Sequence, residues 1–327
     1  MGRTLNPEIE KALEAALNAR TPLLKKLKDE DTDTYRFFSG RREGISGLVI
    51  DILGNVGIVE QLIGKEGFDS ESLPQIAEWI SRHLKLKTVL LKKYIEDRSS
   101  RKVDDELMPK KPLLGEDPKE VFSVRENGLR FEIRPYDGFS TGLFLDQRDN
   151  RKWVQTESSG KKILNAFAYT CAFSVYAAKG GGQVTSVDLS QKYLDWGKAN
   201  FLLNDLNVNE HRFYAWDIFE FLKKAKKQGE VFDLIILDPP SFSRSKTGTF
   251  ALKKDWEKLF EAALPVLATG GTFFYSCNSH EIDPVIWSQG LDRSCESRAF
   301  TRVTLPPVPF DFKKEEHTLK TWCAQIL

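Results

Sequence analysis

From about residue 145 to the C-terminus the sequence alternates between short apolar runs of strand length and longer segments with helical spacing. KILNAF, QVTSVD, HRFYAW, VFDLIILD and GTFFYSC read as strands, and CAFSVYAAK, QKYLDWGKANFLLN, IFEFLKKAK and WEKLFEAALPVL read as the helices between them. A short helix near 282–291 and two late strands, 299–304 and 319–326, complete the series. Parallel strands need crossover connections, and helices of this length supply them. The alternation therefore predicts an α/β fold with a mostly parallel sheet covered by helices on both faces. Ligands of such sheets bind beyond the carboxyl ends of the strands.

Those ends carry, in order, Asn165 with the loop AFAYT, then Asp188, Asp217, Asp238 and Cys277. Each acid alone can serve as a helix N-cap after a strand. Jointly they fit a nucleoside: an acid after the second strand can accept both ribose hydroxyls, and one after the third can accept an adenine amine. A dinucleotide fold would need G-x-G-x-x-G in the first turn to admit a pyrophosphate. The first turn here, Asn165 to Cys171, has no glycine. A nucleoside cofactor without phosphates fits better, and S-adenosyl-L-methionine is the obvious candidate.

The run VFDLIILD ends on Asp238 and is followed by PPSFSRSK. Two prolines fix φ and remove two N–H donors, which makes a rigid corner at the sheet edge. Carbonyls at that corner are free to meet a substrate amine. Phe242 offers a plane on which a base can stack, and Arg244 and Lys246 can hold phosphates. Among the four cysteines, 171, 277, 295 and 323, no C-x-x-C or zinc spacing occurs, so no metal site is expected. Free thiols point to a reducing cytoplasm. No signal peptide or membrane span is expected, and no membrane partner. A net charge of +1 announces no global field for nucleic acid, so RNA contacts would have to come from local clusters such as Lys110-Lys111 and Lys223 to Lys227.

The N-terminal third reads differently. Asn6-Pro7 starts a helix with Ile9, Leu13, Ala16 and Leu17 on one face, and Thr21-Pro22 closes it. Two strands flank Leu53-Gly54-Asn55, a helix follows over 71–84 and a strand over 87–94, giving a small α/β unit at roughly 33–95. Residues 96–119 read as a charged connector. Asn127-Gly128, between two alternating runs, marks a hairpin. The expected organisation is 1–113, an N-terminal helix and small α/β domain contacting RNA; 114–144, a linking hairpin; and 145–327, the catalytic domain.

YRFFSGRREGISGLVIDILG (35–54), TGLFLDQRDNR (141–151), NAFAYT (165–170), SVDLSQKYLDW (186–196), LDPPSFSRSK (237–246) and YSCNS (275–279) together resemble bacterial 23S ribosomal RNA methyltransferases of the class I S-adenosylmethionine-dependent fold. The resemblance runs from about residue 8 to the C-terminus and implies a Rossmann-like seven-stranded sheet. It implies cofactor contacts at Gln147, Arg148, Asn165, Phe167, Ala168, Tyr169, Thr170, Asp188, Leu189, Ser190, Asn204, Asp217, Ile218, Asp238 and Pro239. It places substrate contacts at Pro240, Phe242, Arg244 and Lys246, and 23S rRNA as the partner; a homodimer is compatible with it.

Two branches compete. The cytosine-carbon-5 branch has a cysteine after the fifth strand, as Cys277 stands in YSCNS. The guanine-N7 branch shares the SVDLSQKYLDW-like and DPPSFSRSK-like segments but carries asparagine at that position. Relatives of the cytosine branch begin with an RNA-binding PUA domain, which is not expected in this sequence, and family members usually have glycine near Cys171. In the cytosine reading Cys277 is the nucleophile that adds at carbon-6, and Asp238 holds the N3/amino edge of the ring. A guanine-N7 or other methyltransferase needs no nucleophile. A non-catalytic RNA-binding protein of the same fold is the third reading.

Overall fold

The structure, a computed structural model, describes residues 5–64, 68, 70–95, 107, 111–118, 120–138, 140–244, 248–295, 298–313 and 319–327. It divides into two compact units, Met1–Asp146 with Pro309–Glu316, and Gln147–Val308 with His317–Leu327.

The first unit holds α1 (Pro7–Asp29), β1 (Thr34–Ser39), β2 (Leu48–Leu53), β3 (Val56–Ile63), α2 (Leu73–Leu84), β4 (Thr88–Ile95), β5 (Leu114–Gly115) and the hairpin β6 (Phe122–Glu126) and β7 (Leu129–Ile133). Its sheet runs β1-β2-β3-β4-β5. Only β3 and β4 pair in parallel, and α2 is their crossover. Asn127 and Gly128 both lie in the left-handed region, φ 51° and 75°, as a two-residue I′ turn requires. Asn6 caps α1 by accepting from the Glu8 N–H at 2.8 Å.

Helix α1 does not stop at Thr21-Pro22. Pro22 sits inside it and forfeits one intrahelical bond, but Ile9, Leu13, Ala16, Leu23 and Leu27 form one continuous buried stripe. Burial of that stripe outweighs a local cost of about 3 kcal/mol. Arg20 lies on the same face, 3% exposed, and meets both Glu43 oxygens at 2.7 and 3.0 Å. β1 carries no strand signal beyond YRFFS, and it enters the sheet because Phe37 and Phe38 bury completely. Of the connector expected at 96–119, residues 96–106, 108–110 and 119 lie outside the described set. Its described end is not a free linker, since Leu114 and Gly115 pair with β4.

The second unit holds α3 (Arg148–Glu157), β8 (Lys162–Ala166), α4 (Ala172–Lys179), β9 (Gln183–Asp188), α5 (Gln191–Leu203), β10 (Arg212–Ala215), α6 (Ile218–Lys227), β11 (Phe232–Leu237), β12 (Phe242–Arg244), β13 (Thr249–Ala251), α7 (Leu252–Ala263), β14 (Leu267–Cys277), α8 (Pro284–Ser294), β15 (Phe300–Arg302) and β16 (Lys320–Ile326). Seven strands form one sheet in the order β10-β9-β8-β11-β14-β16-β15. Strands β8, β9, β10, β11 and β14 are parallel, and β16 runs antiparallel between β14 and β15. The order reverses at β8, which has β9 on one side and β11 on the other, so the ligand crevice of a doubly wound sheet falls there. The predicted elements of this unit are present. Two were not foreseen: the β12–β13 ribbon that follows the proline corner, and α3. The buried face of α3 is Arg148, Asn150, Arg151 and Val154, and a mostly polar inner face gives no apolar period to detect. No described helix is long and apolar enough to cross a membrane.

Candidate active site

The loop between β8 and α4 puts three non-glycine residues in the left-handed region on alternate positions: Phe167, Tyr169 and Cys171, φ 59°, 49° and 60°. Each costs roughly 1–2 kcal/mol, and the surroundings hold them. The Ala168 N–H donates to Val187 O at 3.0 Å and the Cys171 N–H to Ala168 O at 2.7 Å. Asn200 Nδ2 donates to Thr170 O at 2.9 Å, and Asn204 Nδ2 donates to Asn200 O at 2.8 Å. Asn204 thus stands behind the loop, buried, rather than at its mouth. Asn165, also buried, donates to Ser174 Oγ at 2.8 Å and ties β8 to α4.

Asp188 ends β9 and bridges two segments. Its Oδ2 accepts from the Tyr169 N–H at 2.9 Å and its Oδ1 from the Ser190 N–H at 2.8 Å. Burial pushes its carboxyl above the ordinary value, and those two N–H groups oppose the rise. Leu189 is 39% exposed beside it, and Ser190 caps α5. Asp217 caps α6, accepting from Phe219 N–H at 2.9 Å and Glu220 N–H at 3.4 Å. Asp188, Asp217, Ile218, Phe167, Trp216, Phe219 and Phe250 line one pocket. Phe167 and Phe250 pack 5.5 Å apart, while Lys224 and Lys258 lie over Trp216 and Phe219 at 4.4 and 5.2 Å. Two acids among aromatic walls suit a nucleoside. Phe250 was not legible because the β13 segment that carries it gives no signal of its own, and Phe219 because, in the expected helix IFEFLKKAK, its ring reads as one more apolar position.

Asp238 follows β11 at the corner made by buried Pro239 and exposed Pro240. Gln147 Nε2 donates to its Oδ1 at 3.1 Å, and the Ser276 hydroxyl donates to the same oxygen. Asn150 Nδ2 donates to Gln147 Oε1 at 2.7 Å. Burial raises the Asp238 carboxyl, against the Ser276 hydroxyl, the Arg151 guanidinium and the Gln147 amide. Arg148 is buried on α3, 3.7 Å from Asp149.

Cys277 ends β14, opposite Lys320 in the β16 register. It has no exposed surface and packs in the core cluster that includes Tyr275, Ile282 and Trp287. Burial pushes its thiol up, while the Ser279 N–H and the Lys320 ammonium pull the other way and Asp238 adds to the rise. Phe242 is 50% exposed with the Arg244 guanidinium 5.1 Å from its ring centre. Lys246 lies outside the described residues. Among the described residues no group of His, Cys, Asp or Glu could hold a metal.

The profile of the S-adenosylmethionine-dependent methyltransferase family matches residues 102–320. Ribosomal RNA large subunit methyltransferase I of Aeromonas salmonicida is 34% identical over 271 residues, which cover 81% of this chain and 65% of that protein. Ribosomal RNA large subunit methyltransferase K/L of Psychrobacter cryohalolentis is 46% identical over 204 residues, 60% of this chain and 25% of that one. The chain therefore spans less than two thirds of the length of either relative. The crystal structure of SMU.776 complexed with SAH superimposes with a TM-score of 0.83 at 25% identity, covering 99% of this chain and 83% of that one.

Proposed function

Because the chain belongs to the S-adenosylmethionine-dependent methyltransferase family, we propose that it methylates a base of large-subunit ribosomal RNA. The cofactor is S-adenosylmethionine, which supplies an electrophilic methyl group when bound. Asp188, Asp217 and the loop from Asn165 to Thr170 are assigned to the nucleoside part of that cofactor. The substrate class rests on one observation: similarity to ribosomal RNA large subunit methyltransferases of two kinds. Phe242 and Arg244 support it, as an exposed ring and a cation on β12, just after the Asp238 corner. A target base in folded RNA must leave its stack to reach this edge. The N-terminal unit is assigned RNA contacts. Nucleoside mass spectrometry of ribosomal RNA from cells with and without the gene tests the proposal; a modification lost with the gene names the base, and identical profiles overturn it.

The finer reading is cytosine carbon-5. The Cys277 thiolate would add at ring carbon-6, forming a carbon–sulfur bond and shifting electron density to carbon-5. After methylation, loss of the carbon-5 proton releases the thiolate. Its support is the position of Cys277, at the carboxyl end of the strand beside Asp238. The burial of that thiol, which disfavours the thiolate, favours a second reading, guanine-N7 methylation without a covalent adduct. Cys277→Ala separates them. Loss of turnover and of a covalent complex with 5-fluorocytidine RNA supports carbon-5, and retained turnover supports guanine.

A further inference from the structure

Asp188 and Asp217 take their hydrogen bonds from main-chain N–H groups within two or three residues, or from the neighbouring loop. Asp238 is followed by Pro239 and Pro240, which have no N–H to give. Its donors are two side chains from other elements, Gln147 just before α3 and Ser276 near the end of β14, and both land on Oδ1. Asn150 settles which end of the Gln147 amide faces Asp238, because its own N–H occupies Oε1. Ser276 is fully buried, and Gln147 is 2% exposed. Among the described residues, Oδ2 of Asp238 has no hydrogen-bond partner.

We infer that Ser276 and Gln147 are positioning residues, which anchor Asp238 by Oδ1 and keep Oδ2 as the acceptor for an N–H of the target base. The inference rests on the proposal that Asp238 reads the base edge. A carboxylate clamped at one oxygen has lost the rotation that would let it accept from several directions, so the base docks in one orientation. The same two donors favour the ionised form, which alone can accept on both oxygens. The other charged or titratable groups acting on this carboxylate are Arg151 from α3 and Cys277 from β14.

Ser276→Ala and Gln147→Leu test this, read first in the free protein. Carbon-13 NMR of the aspartate carboxyls, with the Asp238 signal assigned by its absence in Asp238→Asn, follows the titration directly. Each substitution should move it upward by roughly one pH unit. The acid limb of kcat/KM, measured on large-subunit ribosomal RNA purified from cells lacking the gene, should move with it. Ser276→Thr should restore both, and S-adenosylmethionine affinity of Ser276→Ala should stay within about twofold of the parent, beneath what one lost hydrogen bond costs. An unmoved carboxyl titration in both variants overturns the positioning role by itself. A moved titration alongside full turnover in Asp238→Asn overturns instead the base-edge role of Asp238, and with it the use of Oδ2.

Discussion

Gly197, midway along α5, lies so close to Cys171 at the start of α4 that a Cβ on it would stand 2.4 Å from the Cys171 Sγ and 2.8 Å from its Cβ. The two positions are coupled. Cys171 occupies a left-handed conformation, φ 60°, that glycine adopts freely, and the missing Cβ on Gly197 makes the space for its side chain. Gly197→Ala alone should destabilise by about 1–3 kcal/mol through overpacking. Cys171→Gly should be near neutral, relieving backbone strain while losing a buried thiol. The double variant should recover about 1 kcal/mol or more relative to the sum of the singles. Urea titrations of the four proteins measure that coupling, and additivity would show the contact to be inconsequential.

The half-buried carboxylate of Asp238 carries a stability cost with a definite pH signature. Burial raises its native carboxyl above 3.8, the unfolded value. A raised native value means that its favourable contribution is complete below that unfolded value and lost as pH rises through the native one. Asp238→Asn keeps an oxygen for the Ser276 and Gln147 donors but carries no charge to bury. It should melt higher than the parent near pH 8, with the gap closing as pH falls toward 4, while turnover is lost. A constant gap across that range, in melts followed by circular dichroism, would mean that charge burial is not the cause.

The sheet was legible because its helices and strands each bury an apolar face, and burial leaves a period in the sequence. The acids Asp188, Asp217 and Asp238 could be read for the same reason: a strand that ends on a polar residue announces its edge. What stayed hidden depends on partners distant in sequence. Nothing near Arg20 announces Glu43, and nothing near Asp238 announces Ser276 or Gln147. Along β14 the side chains alternate, so Ser276 reaches Asp238 while Cys277 joins Tyr275 in the core. A motif names both residues, but only the phase of the strand tells which one meets the acid.

Pro22 offers a test of packing against propensity. Its ring removes the N–H that would meet the Asn18 carbonyl, although α1 continues to Asp29. Pro22→Ala restores that bond without touching the buried stripe. The gain should be about 2 kcal/mol, somewhat under the full proline penalty because alanine also frees the unfolded chain. It should appear as a higher urea midpoint of the first unit. A lower midpoint would mean that the proline makes a packing contact worth more than the bond it forfeits.

The cofactor roles proposed for Asp188 and Asp217 can be separated by what each already does for the protein. Asp188 satisfies the Tyr169 and Ser190 N–H groups with its two oxygens, leaving its remaining lone pairs for ribose hydroxyls. Asp188→Ala strands both donors and removes the acceptor, so S-adenosylmethionine affinity should fall by about a hundredfold or more, roughly 2.7 kcal/mol. Asp217 is a helix cap, and asparagine caps as well as aspartate. Asp217→Asn should therefore leave stability within about 0.5 kcal/mol, and replace one acceptor oxygen with a donor opposite the adenine amine. Titration calorimetry should then register a loss of about tenfold. Unchanged affinity in Asp217→Asn would reduce this residue to a cap, with Trp216 and Phe219 left to hold the adenine by their rings alone.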